Sequence, residues 1–195
     1  PVRRIDTEAA FRCINPACCG VVREKLIHFA SRDAMDIEGL GPALVDSLLA
    51  YRLVADAADF YMLKEDDLRQ IERMGEKSAA NLITAIRASK ERGLAKLLFG
   101  LGIRFLGEKG SELAAHYFHT IDAIMAADVE TIEETEGIGK ITAKSLYDYF
   151  HDEKNIEMIN KLKNAGVLME EIKEESESGM FSGESVVLTG KLAVR

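Results

Sequence analysis

A chain of 195 residues is long enough for one ordinary domain with small attachments. Its 47% apolar and 30% charged content, with only three prolines, excludes a disordered or fibrous class and reads as soluble and mostly helical. The net charge of −8 runs against a simple basic footprint for nucleic acid, yet residues 170–179 hold five Glu and one Lys, half of that excess. Charge therefore does not decide the partner. The longest apolar runs, such as Leu97-Leu98-Phe99, are far too short to span a membrane, and no export signal opens the sequence. A cytoplasmic protein without membrane contact is expected.

The first recognisable feature is Phe11-Arg12-Cys13-Ile14-Asn15-Pro16-Ala17-Cys18-Cys19-Gly20. Cys13 and Cys18 stand with four residues between them around an Asn-Pro turn, which is what one knuckle of a zinc site looks like. A structural zinc takes four ligands, so this is half a set. Three cysteines within seven residues make a poor disulfide framework and suit a reducing compartment. Cys19 reads as a non-ligating extra, and His28 as a packing or surface residue on the helix that follows. With only half the ligands, metal binding here is expected to be weak or absent.

Next comes a repeat. Gly39-Leu40-Gly41, Arg73-Met74-Gly75, Phe105-Leu106-Gly107 and Gly137-Ile138-Gly139 align, and their last glycines are 34, 32 and 32 residues apart. After each comes a helix-like apolar pattern: Leu44, Leu48 and Leu49; Ala79, Leu82, Ile83 and Ile86; Leu113, Ala114, Tyr117 and Phe118; Ala143, Leu146, Tyr147 and Phe150. Shorter apolar stretches lead in, at Met35 and Ile37, Leu68 and Ile71, Leu97 and Leu98, and Val129 and Ile132. The predicted unit is helix, tight glycine turn, helix.

Such a turn places unpaired amides at the N-terminus of the second helix, where the helix dipole also favours an anion. Pro42 suits a first helical position. Lys77, Lys109 and Lys140 lie one or two residues beyond their glycines and add a cation beside the same anion, with phosphate the obvious candidate. The first and fourth copies carry the full Gly-hydrophobic-Gly form. Arg73 and Phe105 replace the first glycine in the other two, which leaves open a differently shaped turn or a packing role. Phosphate contacts made by main chain carry no base information, so binding is expected to be independent of sequence and to weaken with salt.

Residues 170–180 read as an acidic linker. In residues 181–195, Val186 to Thr189 form one short β-type run between Gly183 and Gly190. A lone strand cannot bury its edges, so this tail reads as disordered or as a single strand.

The turns resemble the helix-hairpin-helix motif, which holds DNA backbone along the minor groove. The order of parts, with the words CINPAC, HFASRDAMDIEGLG (read as helical), LLFGLGIRFLGEKG, EGIGKITAKSL and FSGESVVLTGKL, resembles the C-terminal half of bacterial NAD-dependent DNA ligases. The resemblance implies a mainly α fold of four tandem helix-hairpin-helix repeats. It divides the chain into part of a four-cysteine zinc finger (1–32), the four-hairpin domain (33–169), the linker (170–180) and the start of a BRCT domain (181–195). It implies a monomer, associated with the nucleoid, that grips nicked duplex DNA. Its DNA-binding residues would be Gly39, Leu40, Gly41, Gly75, Lys77, Gly107, Lys109, Gly137, Ile138, Gly139 and Lys140, with Arg104 a lesser candidate. Cys13 and Cys18 would be two of four zinc ligands, and NAD and Mg2+ would serve domains outside this stretch. The family's nucleophile lies in a Lys-x-Asp-Gly motif, and none occurs in these 195 residues, so catalytic silence is expected of this stretch. Glu133, Glu134 and Glu136 read as solvated charge on an exposed turn. Two other readings stay open: a hairpin module from another DNA repair or recombination protein, and a helical protein-interaction scaffold.

Overall fold

The computed structural model describes residues 2–4, 11–13 and 18–172. It is mainly α-helical. A small antiparallel ladder joins β1 (Val2–Arg4) to β2 (Phe11–Cys13), with Val2 opposite Cys13. Along the described chain then come α1 (Cys19–Ala30), α2 (Pro42–Ala50), a 3-10 helix (Ala57–Met62), α3 (Glu65–Leu68), α4 (Glu76–Ser89) and α5 (Gly93–Gly100). After these come α6 (Glu108–Phe118), α7 (Ile121–Ala126), α8 (Val129–Glu133), α9 (Lys140–Phe150) and α10 (Glu153–Asn164). The sequence expectation for residues 181–195 lies outside the described residues.

The second helices of the hairpins form where apolar residues repeat at helical spacing. α4 buries Ala79, Leu82, Ile83 and Ile86, one continuous stripe. α9 buries Ala143, Leu146 and Phe150, with Tyr147 packed at the margin. α6 departs from its pattern. Its buried stripe is Ser111, Ala114 and Ala115, and these small residues face the closely packed α5. Tyr117, expected inside, is turned out, and its hydroxyl donates to Glu134 Oε2 at 3.3 Å. An aromatic ring does not fit between helices spaced by alanine and serine.

A second departure concerns residues 28–41, read as helical. α1 stops at Ala30, where Ser31 Oγ donates back to the His28 carbonyl at 2.7 Å and competes with the helical pattern. The chain then folds into a turn in which the Met35 amide donates to Phe29 O and the Ile37 amide to Ala30 O, with Asp36 at φ +50°. Met35 and Ile37 are buried as expected, but on a turn rather than on a helix.

Connecting elements carry their own caps. Asp56 accepts from the amides of Ala58 and Asp59 at the 3-10 helix, and Asp59 reciprocates at the Asp56 amide. Thr120, Asp128 and Asp152 cap α7, α8 and α10 in one direction, their side chains accepting from first-turn amides.

A single core runs through the described body. α1 belongs to it: Leu26, Phe29 and Ala30 are buried, and α1 packs on α5 at Gly100, whose Cβ position is 3.3 Å from Ala34 and 3.4 Å from Phe29. At the other end residues 167–172 form a strap. The Leu168 amide donates to Lys90 O, Ile121 N to Met169 O, Leu94 N to Glu170 O and Glu171 N to His119 O, all at 2.8–3.0 Å. Glu170 and Glu171, read from sequence as the start of the linker, are thus hydrogen-bonded into the fold.

Candidate nucleic-acid interface

The four turns follow one backbone path. Gly39, Arg73, Phe105 and Gly137 occupy the same slot, and all have left-handed φ, at +86°, +67°, +65° and +85°. The next residue, Leu40, Met74, Leu106 or Ile138, sends its amide back three residues, to Ile37, Ile71, Ile103 or Thr135 O, at 2.9–3.1 Å. Gly41, Gly75, Gly107 and Gly139 then cap the second helices at φ between −80° and −87°. The possibility of a different shape at the second and third turns is therefore not realised. The flanking hydrogen bonds hold Arg73 and Phe105 in a conformation that costs a non-glycine residue roughly 1–2 kcal/mol.

What each turn presents is main chain. The amides of Gly75, Glu76, Lys77 and Ser78 have no protein acceptor among the described residues, and none of these helices has a side-chain cap. The same holds from Gly107 to Gly110 and from Gly139 to Thr142. In the first turn Pro42 has no amide and Leu44 bonds to Gly41 O, so the set is smaller: Gly41 and Ala43.

The capping glycines stand in open space. A Cβ at Gly41, Gly75, Gly107 or Gly139 would meet nothing within 4 Å, and their φ suits any residue. Neither strain nor packing calls for glycine at these four positions. Glycine there leaves the turn's main chain open to close approach from outside.

Around the turns, Lys77 and Lys140 are exposed and have no ion-pair partner among the described residues, while Lys109 lies 3.4 Å from Glu112. Leu40 and Ile138, named as contact residues from sequence, are 5% and 4% exposed, so they offer backbone only. Sequence reasoning missed three exposed side chains at the turns as candidate contacts: Arg73, Phe105 and Ile141. The first two fill the slot of the absent glycine, which was their signal. Glu133, Glu134 and Glu136 are exposed, as expected.

Cys13 ends β2 and Cys18 stands at the N-cap position of α1. No group of three or more His, Cys, Asp or Glu among the described residues is placed to hold a metal. His28 is engaged elsewhere: its Nε2 donates to the Phe99 carbonyl at 2.7 Å, with the ring edge-on to Phe99. The packing reading of His28 holds.

The hairpins pair up. Leu82 of the second hairpin approaches the Cβ position of Gly39 in the first turn, and a groove lined by Gly39, Leu44, Met74 and Ser78 lies between them. Leu113 of the third hairpin lies against Gly137 of the fourth, and Thr142 Oγ1 donates to Phe105 O at 3.4 Å. The family comparisons divide the chain at the same place. A SAM-like helix-hairpin-helix tandem matches residues 31–88, and a helix-hairpin-helix motif matches residues 96–159.

The whole chain also aligns with curated proteins. It is 45% identical over 197 residues to a DNA ligase of Shouchella clausii, covering 98% of this chain and 29% of that protein. A DNA ligase of Thermoanaerobacter pseudethanolicus is 47% identical over 189 residues, covering 97% of this chain and 28% of the relative. One from Clostridioides difficile is 43% identical over 194 residues, at 98% and 29%. The chain belongs, as one segment, to the DNA ligase family. It spans under a third of the length of these relatives. In this ligase segment two tandem hairpin pairs make up the helical body, and no described helix is long and apolar enough to cross a membrane.

Proposed function

We propose that this segment is the duplex-gripping part of an NAD-dependent DNA ligase that joins 5′-phosphate to 3′-hydroxyl at nicks in replication and repair. The observation that carries the reading is the repeated set of unpaired amides behind a glycine with open space where its side chain would be. Amides so placed can donate to phosphate oxygens, and the DNA backbone supplies phosphates at regular intervals. The relatives' name and the hairpin families support the same partner.

Gly39, Leu40, Gly41, Gly75, Gly107, Gly137, Ile138 and Gly139 supply backbone along the minor groove. Lys77, Lys109 and Lys140 add charge, with Arg104 beside the third turn. The segment acts as a monomer, in the bacterial cytoplasm at the nucleoid. Adenylation, with its NAD and Mg2+, belongs to other parts of the enzyme, since the Lys-x-Asp-Gly motif is not in this stretch. Cys13 and Cys18 would hold two positions of a zinc site, where the metal's role is to fix the fold. Residues 181–195 open a BRCT domain.

Anisotropy titration of the chain with nicked duplex DNA between about 50 and 200 mM salt tests this reading. Binding that weakens steeply with salt and ignores sequence supports it. No binding, or binding indifferent to salt, overturns it and leaves a protein-docking role.

A further inference from the structure

Phe105 carries two costs that the fold does not explain. Its φ of +65° is a conformation that aromatic residues avoid, and its side chain is 52% exposed. Glycine in the same slot would relieve the first, and the structure shows that arrangement at Gly39 and Gly137. At Gly137 a Cβ would stand 2.7 Å from Leu113 Cδ1, so that side chain would have to shift. At the third turn the slot opens to solvent, and a large apolar ring fills it. The Arg104 guanidinium lies over that ring, 4.6 Å from its centroid. A second exposed apolar side chain, Ile141 at 69%, sits in the first turn of α9, next in sequence to the Thr142 whose hydroxyl bonds to Phe105 O.

We infer that Phe105, with Ile141, forms an apolar contact with the deoxyribose walls of the minor groove. This rests on the duplex-binding reading and adds to it. The occupant follows from what surrounds the patch: the unpaired amides of Gly107–Gly110 and of Gly139–Thr142 flank these two side chains, together with Lys140. A surface that alternates anion-seeking amides with apolar groups matches a groove whose rims are phosphates and whose walls are sugars. Contact of this kind adds affinity that counterion release does not supply, so it is insensitive to salt.

The test measures thermal stability, and affinity for a nicked duplex across a salt series, for the unaltered chain, Phe105→Gly, Ile141→Ala and Lys140→Ala. Phe105→Gly is expected to keep or raise Tm, since it relieves the left-handed φ. It weakens duplex binding roughly tenfold at every salt, with the slope of log K against log salt unchanged. Ile141→Ala weakens binding in the same salt-independent way. Lys140→Ala lowers the slope by about one. A clear drop in Tm for Phe105→Gly makes Phe105 a structural residue and overturns the inference. So does unchanged affinity in both apolar variants while the unaltered chain binds with a steep salt slope. So does loss of a self-associated species, read by sedimentation, without any loss of duplex affinity. If the unaltered chain itself binds no duplex, the underlying reading fails as well, so the two failures are distinct.

Discussion

Leu113 Cδ1 lies 2.7 Å from the point where Gly137 would carry a Cβ, and Gly137 sits at φ +85°. The third hairpin thus closes against the fourth through a side-chain end that a Cβ at Gly137 would displace. Gly137→Ala is expected to destabilise the fold by about 2 kcal/mol, combining left-handed strain with displacement of Leu113. A shifted denaturant midpoint at constant slope checks this. An unchanged midpoint would mean that the contact relaxes freely.

Gly139, two residues on, behaves in the opposite sense. Its φ is −85° and its Cβ position is open. Gly139→Ser supplies a good helix cap, so Tm holds or rises. The new hydroxyl accepts one of the helix amides, and its Cβ stands where a phosphate would approach, so duplex affinity falls by roughly an order of magnitude. Tm and Kd moving together would contradict the division between a structural and a binding glycine.

Thr135 sits in the fourth turn at 3% exposure, and its hydroxyl has no partner among the described residues. Its carbonyl holds the turn by accepting from the Ile138 amide at 2.9 Å, and that bond survives a side-chain change. Thr135→Val removes the unpaired hydroxyl at nearly constant shape and is expected to stabilise by about 1 kcal/mol. Urea denaturation reads this directly; a loss of stability would show that the hydroxyl is paired after all.

Glu171 fastens the strap by accepting from His116 Nδ1 at 2.9 Å and His119 Nδ1 at 2.6 Å. Burial pushes its carboxyl up, but the bonds from His119 and His116 outweigh this and hold it below the usual 4.5. A depressed carboxylate contributes stability that is present above its unfolded value and lost as pH falls through the folded one. Stability is therefore expected to drop below about pH 4.5, and Glu171→Gln to flatten that part of the profile. Thermal melts from neutral to acid pH distinguish the two; parallel profiles would show that the strap does not depend on this carboxylate.

Much of the candidate interface was legible in the sequence because its signals are local. Four glycines at near-constant spacing, each before an apolar stripe of period 3.6, specify turn and helix within a dozen residues. α4 and α9 bury the faces that their patterns marked. Where neighbours intervene, the reading slipped. The face of α6 rotates because α5 packs against its small residues, which leaves Tyr117 outside. The helix expected through residues 28–41 ends at Ala30, where Ser31 turns back on His28.

The sequence by itself determined the number of hairpins, the places of their turns and the chemistry that those turns offer, since each depends on a few adjacent residues. Only the structure showed that Arg73 and Phe105 adopt the glycine conformation, in turns closed by the bonds from Met74 N to Ile71 O and from Leu106 N to Ile103 O. It alone joined the hairpins into two pairs through Leu82 and Leu113, engaged His28 with Phe99, and tied residues 168–171 to Lys90, Leu94, His119 and Ile121 as a strap. These contacts close over long stretches of chain, and no local pattern records which distant residue will fill a given space.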